Sequence, residues 1–272
     1  MQKLLIMAML LATLLTIKVS EAAVTEDRAY FPPVIMYHDI KLMPLNNFDV
    51  TLKDFRKQLK WLKDNGYKTL SMEEFIDTVT SGKAFPKNSV LLTFDDGYSD
   101  SLSYALPELK SRNMKATFFI NRWYIGKKAK GYPYITESEL KSLADEPLIS
   151  LGSHTTSHEH LDKLSPERLA FELSDTKAYL EELTGKPVLA LSYPFGDYNA
   201  DVIAATQTAG YEVAFAVQDR GLFDQPARFS IPRIYMGLAL SANNQALFKK
   251  YVRNYSKMPP EAFIDRWQPL NQ

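Results

Sequence analysis

Val90-Leu91-Leu92-Thr93-Phe94-Asp95-Asp96-Gly97 is the stretch that decides how this chain is read. Five apolar or β-branched residues in a row form a strand of the kind buried on both faces, and the glycine permits a sharp exit. Two carboxylates therefore stand at a C-terminal strand edge, where βα barrels carry their active sites. Successive residues leaving a strand point in different directions, so one Asp can bind a metal while the other stays free as a base. Strands are expected near 34–38, 68–70, 89–94, 116–120, 148–152, 188–192, 212–217 and 230–235, alternating with helical patterns. That alternation is the signature of repeated βα units, and eight strand candidates favour a closed barrel.

The helices between them are well punctuated. Thr51 caps one with Leu52, Phe55, Leu59 and Leu62 on one face and Gly66 as its left-handed stop. Ser71 with Glu74 and Thr136 with Glu139 have capping-box spacing. Ser165-Pro166 opens the longest helix, with Leu169, Leu173, Leu180 and Leu183 inward and Gly185 ending it.

Within 272 residues, 46% are hydrophobic and 24% charged, which supports a sizeable core and excludes disorder, coiled coil and fibrous repeats. Lys+Arg and Asp+Glu both count 32, so no net charge attracts nucleic acid or an anionic membrane. Cysteine is absent, which excludes disulfides, thiolate metal ligands and thiol nucleophiles, leaving carboxylates, hydroxyls and four histidines for any chemistry. Residues 1–22 read as a cleavable export signal: Lys3, the apolar run from Leu4 to Ile17, then Ser20-Glu21-Ala22. The run is shorter than the roughly 20 residues a membrane span needs, so no stable span is expected after cleavage. Residues 23–272 then form one domain, without internal repeats or a linker, with an irregular tail from Met258.

A second segment supplies partners for the carboxylates. His154-Thr155-Thr156-Ser157-His158 follows the strand expected at 148–152, and its two imidazoles converge on one ion if the segment turns helically. With Asp96 they make a two-His-one-carboxylate set that leaves positions open for water and substrate. His160 is expected at the surface or as a donor to this set.

The order Thr93-Phe94-Asp95-Asp96-Gly97, then His154-Thr155-Thr156-Ser157-His158, then Ser192-Tyr193-Pro194-Phe195-Gly196 resembles the polysaccharide deacetylase family, also called the NodB-homology or carbohydrate esterase family 4 domain. Supporting similarity runs over about residues 33 to 236, including Val34-Ile35-Met36-Tyr37-His38-Asp39, and points to the branch of exported poly-β-1,6-N-acetylglucosamine de-N-acetylases. The resemblance implies an α/β fold, a distorted (β/α)7 barrel. It also implies one divalent ion, zinc by default with cobalt, nickel or manganese as alternatives, and an N-acetylated polysaccharide as the only partner of a periplasmic or extracellular monomer.

Carried over by motif position, Asp95 is the general base, and Asp96, His154 and His158 are the metal ligands. Tyr193, Pro194 and Phe195 form a groove wall, with the Phe195 N–H as the oxyanion donor. Two departures concern protons. Ser192 stands where many members have an arginine bracing the catalytic Asp, and Arg233 is the expected substitute from a neighbouring strand. No histidine follows His160, so His38 at the end of the first strand is expected as proton donor, with return of the proton by Asp95 as the alternative. Tyr37, Tyr98, Trp123, Tyr124, Tyr132, Tyr134, Tyr193 and Tyr198 lie on strand ends or loops where sugar rings stack, Trp123-Tyr124 being the foremost pair. Other polymers, namely peptidoglycan, chitin-type oligosaccharides or acetylated xylan, are alternative substrates, and a silent carbohydrate-binding barrel is the alternative from another class.

Overall fold

Eight parallel strands build the sheet of the computed structural model, which describes residues 31–129, 131–217, 228–237 and 244–255. The export stretch 1–22 and the tail from Met258 lie outside the described residues. The strands are β1 (Val34–Tyr37), β2 (Lys68–Thr69), β3 (Ser89–Phe94), β4 (Ala116–Ile120), β5 (Ile149–Ser153), β6 (Ala190–Ser192), β7 (Val213–Phe215) and β8 (Ile234–Tyr235). Seven follow the path β7-β6-β5-β4-β3-β1-β8, while β2 pairs only with Ser89 and Val90 at the start of β3. The two ends of the path meet: Ile231 donates its N–H to Ala214 O at 3.0 Å and accepts from Ala216 N at 2.9 Å. The fold is thus an α/β barrel of distorted (β/α)7 type, and all eight expected strands are present, several shortened at their ends.

The helices are α1 (Leu52–Asp64), α2 (Met72–Ser81), α3 (Ser99–Arg112), α4 (Glu137–Ala144), α5 (Pro166–Thr184), α6 (Ala200–Thr208) and α7 (Asn244–Asn254). Their starts follow the capping chemistry. Thr51 Oγ1 accepts Asp54 N–H at 3.0 Å, and the boxes Ser71/Glu74 and Thr136/Glu139 both close. Ser165 caps α5 with Pro166 in its first turn, and Gly185 ends it at φ +66°.

Side-chain alternation along β3 decides which groups face the chemistry. Leu92 and Phe94 join the core beneath the helices, where Phe94 stacks on Phe118 at 4.7 Å and meets Phe55 of α1 at 5.9 Å. Each such buried side chain stabilises the fold by roughly 1.5–3 kcal/mol. Leu91, Thr93 and Asp95 alternate to the other face, inside the barrel. At the crowded β4–β5 seam, a Cβ on Gly152 would lie 2.4 Å from the Phe119 ring, so any larger residue would spread the strands that carry His154.

Candidate active site

Asp95 and Asp96 part at the end of β3. Asp95 continues the strand and points inward, where Arg233 holds it with two parallel bonds, Nη1 to Oδ1 at 2.8 Å and Nη2 to Oδ2 at 2.7 Å. Arg233 is itself fixed by Thr93 Oγ1 and Ala216 O, both at 3.2 Å. Ser192 completes the brace: its hydroxyl donates to Asp95 Oδ2 at 3.0 Å and accepts from Arg233 Nη2 at 2.8 Å. Burial opposes ionisation of Asp95, but the charges of Arg233 and His154 and the Arg233 hydrogen bonds outweigh it and hold the carboxyl below its ordinary range. Three of the four or so lone-pair positions of the carboxylate are engaged, which leaves one on Oδ1 for an incoming proton.

Asp96 turns out of the strand at φ +73°, followed by Gly97 at φ +77°. A Cβ on Gly97 would also press on Ile120 Cδ1 at 3.3 Å, so strain and packing both call for glycine here. This turn brings Asp96 Oδ1 to 3.3 Å from His154 Nε2 and 3.4 Å from His158 Nε2. Three ligands bound at about 2.0–2.1 Å in a tetrahedron stand about 3.3–3.4 Å apart, so the donor set and its spacing fit a divalent ion. His154 Nδ1 donates to Ser192 O at 2.8 Å, which fixes the tautomer and leaves the Nε2 lone pair facing Asp96 and His158. Burial and the neighbouring His154 push His158 down to about 4, so this ring is neutral near pH 7. Burial also works against ionised Asp96, but the hydrogen bond and charge of His154 hold its carboxyl well below the ordinary range.

The histidine segment does not turn helically. Thr155 and His158 adopt left-handed φ values of +63° and +61°, and this tight non-helical turn, rather than i, i+4 stacking, swings both imidazoles to one point. The turn is clamped from behind by Glu172 of α5, whose side chain is fully buried. Glu172 Oε2 accepts the N–H of Thr156 at 3.0 Å and of Ser157 at 2.8 Å, and Oε1 takes the Ser157 hydroxyl and Arg168.

His38 directly follows β1, whose last residue, Tyr37, accepts the N–H of Asp95 through its carbonyl at 2.9 Å. Burial lowers its pKa against the pull of Asp96 and Asp95, and its Nδ1 is buried without a partner among the described residues. His160 lies at the rim, bonded through Nδ1 to Asp197 Oδ2 at 2.5 Å and stacked 4.0 Å from Phe195. Phe195 is 52% exposed beside His158, in a left-handed turn at φ +58°.

Two expectations need correction. Tyr193 and Pro194 do not line a groove: both are buried, and the Tyr193 hydroxyl donates to Phe229 O at 3.0 Å. The inward alternation along β6 that aims Ser192 at Asp95 sends the next side chain into the helix layer. The same holds for most of the other aromatics, since Tyr37, Tyr98, Tyr132 and Tyr198 are buried and Tyr124 stacks on Tyr134 at 4.6 Å. Ser192 and Glu172 were not recognised in the sequence as parts of the site. For Glu172 a signal existed, a carboxylate within the apolar stripe of Leu169, Leu173 and Leu180.

Comparison with known proteins shows which family the chain resembles. The family model described as polysaccharide deacetylase matches residues 82–214. YxkH of Bacillus subtilis (strain 168), which carries a polysaccharide deacetylase name, is 33% identical over 211 residues, covering 78% of this chain and 73% of that protein. The poly-beta-1,6-N-acetyl-D-glucosamine N-deacetylase of Staphylococcus aureus (strain MRSA252) is 29% identical over 199 residues, 70% of this chain and 68% of the relative. Among solved structures, the Streptococcus pyogenes deacetylase PplD in complex with acetate superposes with a TM-score of 0.71 at 26% identity, covering 81% of this chain and 98% of that one.

Proposed function

Because the chain belongs to the polysaccharide deacetylase family, we propose that it is a metal-dependent hydrolase that removes N-acetyl groups from an exported amino-sugar polymer, with poly-β-1,6-N-acetylglucosamine as substrate. The observation that carries this reading is the pairing of two functions at one strand end. A carboxylate braced by Arg233 and Ser192 stands next in the chain to a second carboxylate that meets two imidazole Nε2 atoms. The staphylococcal relative supports the choice of polymer.

Asp96, His154 and His158 would hold the ion, which when bound polarises the acetyl carbonyl and lowers the pKa of a water. Asp95, held ionised and oriented, takes the proton of the attacking water on its free Oδ1 position. Arg233 keeps the carboxylate from rotating away, and Ser192 orients both Asp95 through its hydroxyl and His154 through its carbonyl. The Phe195 N–H donates to the developing oxyanion at the rim. The proton taken by Asp95 passes on to the leaving amine, with His38 on the neighbouring strand end as its relay, completing amide cleavage to acetate and a free amino sugar.

In this reading residues 23–272 are the catalytic domain, exported by the signal at 1–22 and acting as a monomer outside the cytoplasm. Among the described residues no helix is long and apolar enough to cross a membrane. The test is acetate release from β-1,6-linked N-acetylglucosamine oligomers, before and after chelation and re-addition of metal, with Asp95→Asn alongside. Release that disappears on chelation, returns with metal, and is abolished in Asp95→Asn at unchanged metal content is the expected result. Release that persists in full after chelation refutes the metal role, and near-normal Asp95→Asn turnover refutes the base.

A further inference from the structure

Behind the turn that carries His154 and His158 lies an open cleft of about 470 Å³. Its walls include Thr156 and Ser157, two of the three residues between the ligands, so the turn that carries the imidazoles also walls this cleft. Trp123 and Phe171 also line it, 58% and 44% exposed, an unusual display for large aromatics. Trp123 is tied directly to the turn, its N–H donating to Thr156 O at 2.8 Å.

The charges of the cleft are largely answered from within the protein. Arg122 pairs with Asp175, Arg168 pairs with Glu159 and Glu172, and Lys127 lies 3.9 Å over the Trp123 ring. Guanidinium groups already bound to carboxylates offer a phosphate or sulfate little net attraction. What the cleft does offer is an exposed indole beside fixed planar donors and acceptors, and a hydroxyl, Thr156 Oγ1, bonded to Asp175 Oδ2 at 3.1 Å. An apolar face rimmed by such groups suits a ring with apolar C–H faces and equatorial hydroxyls, and the volume lies in the ligand-site range of about 300–1,000 Å³.

We propose that this cleft is a second sugar-binding subsite, taking an uncharged pyranose unit of the same glycan that is deacetylated at the Asp96–His154–His158 centre; the inference rests on the deacetylase reading above. A polymer bridging the two sides gains residence by the linkage of its units, so the subsite favours long chains over short ones.

The experiment compares acetate release from a dimer and a hexamer of N-acetylglucosamine, in β-1,6 and β-1,4 linkage, for the native chain, Trp123→Ala and Trp123→Phe. The hexamer-to-dimer ratio of kcat/KM is expected to fall about tenfold in Trp123→Ala and to return in Trp123→Phe. An unchanged ratio, or equal losses on both lengths, overturns the subsite. Titration calorimetry of the hexamer against Asp95→Asn, with and without Trp123→Ala, provides an arm independent of turnover. Hexamer binding weakened about tenfold by Trp123→Ala supports the subsite; binding that is absent or unaltered overturns it. If no oligomer yields acetate, the deacetylase reading fails, and calorimetry still decides the cleft.

Discussion

Asp95 and Asp96 are neighbours in the chain, yet they are held by opposite kinds of structure. Asp95 sits on the inner face of the barrel, locked by a buried arginine that reaches across from the segment leading into β8 and by a serine at the end of β6. Asp96 sits on a left-handed exit and meets two histidines carried by another left-handed turn, itself clamped by Glu172 of α5. On the proposed roles, the base half is thus braced by strands and the metal half by turns. A proton-transfer group needs one orientation, which a bidentate ion pair between sheet elements supplies. A ligand set has to bring side chains from separate strand ends to one point, which only sharp turns allow.

The largest effect is expected from loosening the base half alone. Arg233→Lys keeps the positive charge but not the planar two-pronged hold on Asp95. Acetate release should fall about 10²-fold or more, within the range carried by a positioned general base, while bound metal per chain stays at the native level. Metal loss parallel to the activity loss would show that the halves are not separately supported. Arg233→Met is a harsher variant, since it strands a buried carboxylate at a cost of about 3–5 kcal/mol and threatens folding itself.

How far this division was legible in the sequence differs between the halves. Period and caps placed the strands and helices, because Thr51, Ser71, Thr136 and Ser165 answer orphan N–H groups wherever the chain goes. The acid pair and the two histidines stood out because their residue types are scarce and each follows an apolar strand. The path between the histidines is less legible, since their convergence is expected only through a helical turn: left-handed backbone is signposted by Gly or Asn, whereas here Thr155 and His158 adopt it under the hold of Glu172. Ser192 looked like a loss because only its side-chain identity was visible. Its carbonyl, invisible in any residue type, orients His154.

A smaller effect, on the other half, should follow removal of the clamp. Glu172→Ala frees two backbone N–H groups behind the turn, and metal affinity should drop about 10- to 100-fold, the usual scale for groups that orient ligands. Competition with a chelator of known affinity measures it. Saturating metal should restore most of the turnover, because Asp95 and its brace are untouched, and Glu172→Gln should fall between. Unchanged affinity in Glu172→Ala would mean that the left-handed turn holds itself, and that α5 only supports the fold.

The smallest effect separates the halves most cleanly, because Ser192 touches both through different atoms. Ser192→Ala removes the hydroxyl that donates to Asp95 Oδ2 and keeps the carbonyl that receives His154 Nδ1. Metal affinity should therefore match the native chain, while kcat falls about tenfold, the lower end of the range of about 1.5–3 kcal/mol for a hydrogen bond to a charged group, since Arg233 still holds the carboxylate. The pH profile adds a sign. The lost bond favoured the ionised carboxylate, whose pKa lies below the ordinary range, so its removal raises that pKa and moves the acid limb of kcat/KM to higher pH. A loss of metal affinity at an unmoved acid limb would invert the assignment. Ser192 would then serve the metal half through the path of β6, and the strand-braced base and turn-built ligand set would be one mechanical unit.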